Sequence, residues 1–488
     1  MLPKSLTSLT LVVGAVSITL AVSAAPTASA RAIVRNPDSR ALSPSTLFST
    51  PPPISGLPQE VATLNARGNH KDAALLTALA AVPQAVWLKG STSSGAPQSP
   101  DEVRLQVSQI MAQAGAAGAV PVFVIDNIPG GYCAQSTTPH AQVDASYKAW
   151  FSAMATGIGG GRAVVLLDPS SLGLMPGDCL SSDHALDATN YPFTNAERVA
   201  DITFAVSTLE AHPEVRVYLD ATNSSWEPVG EAAQRLVEAG VQRAQGFFVN
   251  VSAYNYTQNE VQYGTWISAC IAMGNDSLKF NYQAVCPNQY WNGGPDGTSI
   301  AALEGKVRAC KKRALDGSCP WTGTPLSQYG VWSDTSPNPA FNTSGVNERY
   351  AKMVPTTHFV IDTSRNGLGP DQMDRWGKPP YNQPPSVVAG LRSGGSCNPP
   401  DAGLGARPTA NTRVDLVDAY LWVATPGESD GQCGRTWDYS VYSGAGWPAT
   451  ATTRQGFDPL WGLDDPAAGT FFPQEALRLA ENANPPLR

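Results

Sequence analysis

Short, almost unbroken apolar runs recur along this chain, and stretches of helical spacing separate them. The runs are AVWL (85–88), VFVI closing on Asp126, AVVLL (163–167) closing on Asp168, VRVYL closing on Asp220, GFFVNV (246–251), HFVI (358–361) closing on Asp362, and AYLWV (419–423). Runs of this length, rich in β-branched residues, are the pattern of strands buried on both faces. Between them, 59–79 is rich in Ala and Leu and predicts one helix, and 101–114 places Val103, Val107, Ile110 and Met111 at helical intervals. Helices are also predicted over 144–154, 196–211 and 231–239, and in the tail from Phe472, Ala476, Leu477 and Leu479. Strand–helix alternation of this kind means a parallel sheet with helices outside it.

Two regions break the rhythm. Residues 31–58 are rich in Pro and Ser, with Pro51-Pro52-Pro53, and predict an extended arm that wraps the domain. The segment from Cys270 to Asn347 holds four of the eight cysteines and many Gly, Pro and Asn, and predicts a long excursion cross-linked within itself. Residues 1–30 have Lys4, an apolar run from Leu9 to Val22 and Ala28-Ser29-Ala30, which together predict a secretory signal peptide cleaved after Ala30. The domain expectation is therefore a leader (1–30), the arm (31–58) and one α/β domain (59–488). No later segment is apolar for long enough to span a bilayer, so a secreted, extracellular monomer without a membrane anchor is expected.

Charge and cysteine usage narrow the partners. A formal net charge of -8 argues against nucleic acid and suits an uncharged ligand, and twelve Trp with fifteen Tyr offer flat faces for sugar rings. Eight Cys without a C-x-x-C pair suggest disulfides in an exported chain. The five His have no ligand spacing, so no metal is expected, nor any cofactor. N-x-S/T sequons begin at Asn223, Asn250, Asn255, Asn275 and Asn342; Asn250 and Asn255 flank a strand end, which argues against glycan on both.

Carboxylates at strand ends are the candidate chemistry. Asp126, Asp168, Asp220 and Asp362 each close an apolar run, and Glu428 and Asp430 follow the last one. In a parallel barrel these positions share one rim, where acids serve carbohydrate hydrolysis. The alternative is that they independently cap the turns that follow.

Seven stretches together resemble glycoside hydrolase family 6, the cellobiohydrolases and endo-β-1,4-glucanases. They are IDNIPGGYC (125–133), VVLLDPSSL (164–172), YLDATNSSW (218–226), GFFVNVSAYN (246–255), IDTSRNG (361–367), LWVATPGESDG (421–431) and AGTFF…ENANPPL (468–487), in the family's order. The resemblance implies a single distorted, TIM-like β/α barrel of seven strands, inverting hydrolysis and a tunnel or cleft for a β-1,4-glucan chain. It also implies Cys133–Cys179 and Cys397–Cys433 disulfides, leaving Cys270, Cys286, Cys310 and Cys319 to pair within the excursion. Asp430 stands at the family's proposed base and Glu428 at a sugar-binding carboxylate; Asp220 and Trp226 keep their family identities, with Asn223 where the family has His.

The acid side departs from that pattern. The family's Glu-Pro-Asp, which ends in its general acid, reads Asp168-Pro169-Ser170 here. The family Asp that raises the acid's pKa corresponds to Tyr132, a family Tyr beside the scissile sugar to Asp126, a substrate-binding Lys to Ala424, and a Trp before the third Cys to Ser396. A serine hydroxyl cannot protonate a sugar leaving group, and general acid help is worth a factor of ~10²–10⁴. Three readings follow: a rebuilt donor, Asp126 ahead of Asp168; a non-hydrolytic β-glucan-binding protein of the same fold; or a barrel with an unrelated substrate. Substrate contacts are expected from Asp220, Asn223, Trp226, Asn250 and Glu428, Trp87 is expected in the core, and Asp362 is read as a structural partner of Arg365.

Overall fold

The computed structural model describes residues 41–91, 96–181, 186–289, 343–370, 377–379, 382, 385, 398–431, 457–458, 461 and 463–487. Seven strands form one parallel sheet in sequence order: β1 (Val86–Lys89), β2 (Val122–Asp126), β3 (Ala163–Leu167), β4 (Val215–Asp220), β5 (Gly246–Val249), β6 (His358–Asp362) and β7 (Val417–Leu421). The sheet curls until its two edges approach. The Ala85 amide donates to the Trp422 carbonyl at 2.9 Å, and the Trp87 indole donates to the Val423 carbonyl at 2.8 Å. The result is the distorted seven-stranded α/β barrel that the apolar runs and the resemblance led us to expect.

Strand periodicity divides the core in two. Val122, Val124, Val164, Leu166, Tyr218, Phe248, Val360, Ala419 and Leu421 belong to one compact cluster, the barrel interior. Their neighbours Phe123, Ile125, Val165, Leu167, Val217, Leu219, Phe247 and Phe359 belong to the larger cluster shared with the helices. The barrel's amino-terminal end is fastened by buried Asp418, which accepts from the Tyr218 hydroxyl (2.6 Å) and the Gln245 amide (2.9 Å) and pairs with His358 (2.6 Å).

Helices α3 (Pro100–Ala116) and α6 (Asn195–Glu210) each begin with a capping box, Ser99/Glu102 and Thr194/Glu197, which fixes where they start. With α4 (His140–Ile158) and α7 (Val229–Glu238) they match the predicted helices to within a few residues. Other boundaries differ. The stretch expected as one helix is two, α1 (Leu57–Ala66) and α2 (His70–Ala80), because Gly68 turns left-handed (φ 77°) and the Asn69 side chain caps α2. β5 ends before Asn250, whose φ of 71° leaves the strand, and β7 lies two residues earlier than its run suggests. A further helix, α8 (Thr257–Gly274), lies where none was expected, so Cys270 is helical and its disulfide to Cys286 ties the helix end to Tyr282–Val285.

The Cys133–Cys179 bridge implied by the resemblance is present, with Cα atoms 5.3 Å apart, and ties the loop after β2 to the short helix α5 (Pro176–Ser181). Cys310, Cys319, Cys397, Cys433, Ser396 and Asn342 lie outside the described residues. The described part of the arm pairs with the chain beside β2: Ser49 donates to the Val120 carbonyl and Val120 to that of Leu47. No helix among the described residues is long and apolar enough to cross a membrane.

Candidate active site

The parallel sheet brings every strand-end carboxylate to one rim, but the acids divide into buried anchors and open groups. Asp220 is 2% exposed. Its Oδ2 accepts from the amides of Leu172 and Gly173 (3.1 Å each), its Oδ1 from Thr222 (3.0 Å), and the Ser170 amide also points at it. Burial nevertheless pushes it up to about 6 against those four amides. Asp220, read from the sequence as a sugar or water ligand, thus sits as the post around which the loop after β3 is wound. The loop's carbonyls are taken from the other side: Arg198 donates to Ser171 and Leu174, and Arg235 to Leu172 and Gly173. The 2%-exposed Arg198 also reaches Pro129 and Gly130, so one guanidinium clamps the loops that carry Tyr132 and Ser170. Ser170 itself has φ 68°.

Asp362 corrects an expectation. Its Oδ1 accepts from Ser364 and Val423 and its Oδ2 from Ser252 and Ala424, so it fastens the loops after β5, β6 and β7 together. It is not the partner of Arg365. That guanidinium, 1% exposed, donates through Nη1 to both oxygens of Asp430 at 2.8 Å, and through Nη2 to the Ser252 carbonyl. Tyr254 completes the arrangement, its ring 4.7 Å from the guanidinium and its hydroxyl donating to Asp430 Oδ2 at 3.0 Å. Asp430 therefore presents a salt-bridged, partly exposed carboxylate at the β7 rim, its own amide held by Asn398. Glu428, two residues earlier, borders a cavity of about 790 Å³ between the arm, β1 and α3.

The acid side is the other open place. Asp126 ends β2 beside Lys89 of β1, and is only partly buried. Burial raises its pKa and the Lys89 charge opposes the rise. Behind it lies Asp168, 2% exposed, whose Oδ1 accepts from the amides of Asn127 (2.7 Å) and Ile128 (2.9 Å), while Oδ2 is buried without a hydrogen-bond partner. Burial pushes Asp168 up to about 7; the Asp126 charge adds, and those amides and Arg198 oppose. Tyr132, half exposed with φ 53°, has its phenol raised by burial and then by the charges of Asp126, Asp168 and Asp220. Tyr132 is thus a neutral hydroxyl set among three acids.

The loop after β4 is tied to the loop after β5. Asn223 Oδ1 accepts from Ser225 and from Asn255, and the fully buried Asn250 donates to the carbonyls of Asn255 and Asp362. Burial and these bonds leave Asn250 as a cross-link between loops. Trp226 is partly buried, its ring edge against Gly173. Away from the rim, His140, Asp144 and Asp201 come within 4.8 Å of one another across α4 and α6, a grouping that spacing in one segment could not reveal. Each has a counter-group there, His140 with Asp201 at 2.8 Å and Lys148 with Asp144 at 2.8 Å.

A parallel barrel whose carboxyl-end rim carries both an open carboxyl raised by burial and a salt-bridged one fits the glycoside hydrolase class. The family is also shown: residues 45–483 match the description "Glycosyl hydrolases family 6", and the chain belongs to that family of O-glycosyl hydrolases. Among its relatives, Endoglucanase 1 of Streptomyces sp. (strain KSM-9) is 26% identical over 375 residues, 76% of this chain and 71% of that one. The 1,4-β-D-glucan cellobiohydrolase CEL6A of Pyricularia oryzae is 30% identical over 211 residues, 40% of this chain and 37% of that one. The endoglucanase Cel6 of Mycobacterium tuberculosis, solved with methyl-cellobiosyl-4-deoxy-4-thio-β-D-cellobioside, superposes with a TM-score of 0.52 at 26% identity, covering 92% of this chain and 99% of that one.

Proposed function

We propose that this protein hydrolyses β-1,4-glucan chains with inversion at the anomeric carbon, Asp126 serving as proton donor and Asp430 as the base-side carboxylate. The carrying observation is the contrast between the two open acids. Asp126 is raised by burial, whereas Asp430 lies 2.8 Å from a buried arginine. A carboxyl raised by its surroundings and a second carboxylate fixed by an ion pair are the two groups that acid and base catalysis of this kind asks for. In the step itself, the Asp126 proton passes to the glycosidic oxygen as the C1–O bond breaks and its electron pair moves to that oxygen. Water attacks C1 from the opposite face, and its proton leaves towards Asp430. Trp226 supplies a stacking face and Glu428 a hydroxyl contact. The leader pattern ending at Ala30 supports action outside the cell. The competing reading, a glucan binder that does not cut, rests on Ser170, which cannot donate the proton.

Proton NMR of a cellohexaose digest tests the mechanism: the α-anomer of the new reducing end should appear first and mutarotate afterwards. A β-anomer appearing first would exclude inversion. A second test concerns Trp226. A Cβ on Gly173 would lie 2.5 Å from Thr222 Cγ2 and 3.0 Å from the Trp226 ring, so Gly173→Ala must displace the indole. Such overpacking costs ~1–3 kcal/mol of stability. Calorimetry with cellohexaose should show several-fold weaker binding than wild type, and unchanged affinity would remove Trp226 as a platform.

A further inference from the structure

We propose that His140, Asp144 and Asp201 form a binding site for one zinc ion that clips helix α4 to helix α6, away from the carboxylates at the rim. His140 and Asp144 are four residues apart on α4, so their side chains share a face, and Asp201 comes across from α6. One nitrogen or oxygen from each of the three lies within 4.8 Å of the other two. Zinc takes His nitrogen and carboxylate oxygen at about 2.0–2.2 Å in a tetrahedral shell, which sets neighbouring ligand atoms roughly 3.3 Å apart. From 4.8 Å the groups need close by ~1.5 Å at most, a movement that side-chain rotation supplies. Water completes the shell in the fourth position.

Two features set this cluster apart from a pair of salt bridges. The first is a bare oxygen. Asp201 is 1% exposed; its Oδ2 pairs with His140 Nε2 at 2.8 Å, but its Oδ1 is buried and accepts no hydrogen bond. A buried carboxylate oxygen without a donor is costly, and a cation beside it removes that cost. The second is the way the imidazole is held. With Nε2 turned to Asp201, Nδ1 faces Glu197 Oε1 at 3.6 Å, and Glu197 is itself fixed through Oε2 by the capping box that starts α6. Zinc-bound His nearly always has its other nitrogen held by an outer carboxylate or carbonyl, which sets tautomer and ring direction. Charge points the same way. Three carboxylates meet here against the imidazole and Lys148, whose ammonium lies 2.8 Å from Asp144 on a side chain 42% exposed and so free to turn to water. Arg198, one turn before Asp201, is already spent on four carbonyls. A ligand set of imidazole and carboxylate suits zinc, whereas calcium takes oxygen alone. Zinc at Asp201 would fasten the same stretch of α6 from which Arg198 clamps the loops carrying Tyr132 and Ser170.

The test uses the full chain, stripped with a chelator, and calorimetric titration with zinc chloride. The wild type should bind one equivalent, and zinc at ~100 times its Kd should raise Tm by ~3 °C. Outer-shell changes alone cost ~10–100-fold in metal affinity, so His140→Gln and Asp201→Asn, which remove ligands, should each weaken zinc by at least that much. Lys148→Met removes the competing cation and should bind zinc as tightly as the wild type or several-fold more tightly. No zinc binding by the wild type overturns the site, as does an affinity unchanged in both ligand variants or lost in Lys148→Met. Calcium binding as tightly as zinc also overturns it, since the imidazole would then have no part. Should the ligand variants not fold, anomalous scattering from zinc-soaked crystals of the wild type decides the matter. A peak between His140 and Asp201 is expected, and zinc found only elsewhere on the chain rejects the proposal.

Discussion

Replacing Asp126 by Asn should lower kcat/KM on β-glucan by a factor of ~10²–10⁴ while leaving an aryl cellooligoside with a good phenol leaving group far less affected. The difference lies in the leaving group. An alcohol-like sugar oxygen cannot depart without a proton, whereas an activated phenol can, so loss of the donor is felt only by the first substrate. Two local features make Asp126 the side chain to change. It is the only strand-end aspartate of the four (Asp126, Asp168, Asp220, Asp362) that is not buried. It also lacks the amide bonds that hold the other three. Ser170→Asp is the companion variant: φ 68° is a conformation that Asp accepts, and the Ser170 amide is already held by Asp220. If Asp126 has no catalytic part, the wild type should fail on β-glucan and Ser170→Asp should gain activity there. If Asp126 is the donor, the wild type already cuts and Asp126→Asn does not. A β-glucan rate undiminished in Asp126→Asn sinks the assignment.

Most of the scaffold could be read from the chain, because seven strands buried on both faces leave seven apolar runs and little else in the sequence looks like them. What was not legible has a common cause: it depends on which segments the curled sheet brings together. Asp362 and Arg365 are three residues apart and looked like partners. Yet Asp362 ends β6 pointing at the amides of two neighbouring loops, and Arg365 reaches Asp430 across 65 positions of sequence. Helix α8 escaped notice because it is buried all round, with Asn259 and Glu260 inside beside Trp266 and Ile267, so no clean apolar stripe marks it. Arg198 left a trace that could have been followed. It falls on the apolar face of α6 in line with Ile202, Ala205 and Leu209, and a charged residue at a core position needs partners. The split of the strand-end acids into anchors and open groups left no trace at all, since each acid follows its strand in the same way.

Between pH 5 and pH 9 the wild type should lose ~4 kcal/mol more stability than Glu475→Gln, the largest effect on folding expected from a single side chain here. Glu475 sits in the first turn of the helix Pro473–Glu481, 1% exposed, and neither carboxyl oxygen has a hydrogen-bond partner. Arg365 Nη1 is 3.9 Å from it but is engaged with Asp430 at 2.8 Å. Burial therefore dominates and pushes Glu475 up to about 8, with Arg365 opposing and Asp430, Asp465 and Glu428 adding to the rise. The folded protein thus favours the neutral acid, whereas the unfolded chain ionises near the ordinary 4.5. Below 4.5 both states hold the proton and there is no penalty. As pH climbs from 4.5 to about 8 the unfolded state gains from ionising while the folded state does not, and stability falls by ~1.4 kcal/mol per pH unit until the folded group also ionises. Gln cannot titrate, so its variant lacks that slope. Asp168, Asp220 and Glu260, also raised by burial, tilt both proteins equally and cancel in the comparison. Urea unfolding at pH 5 and pH 9 measures the difference. Parallel losses in wild type and Glu475→Gln would mean that Glu475 ionises at the same pH whether the chain is folded or not.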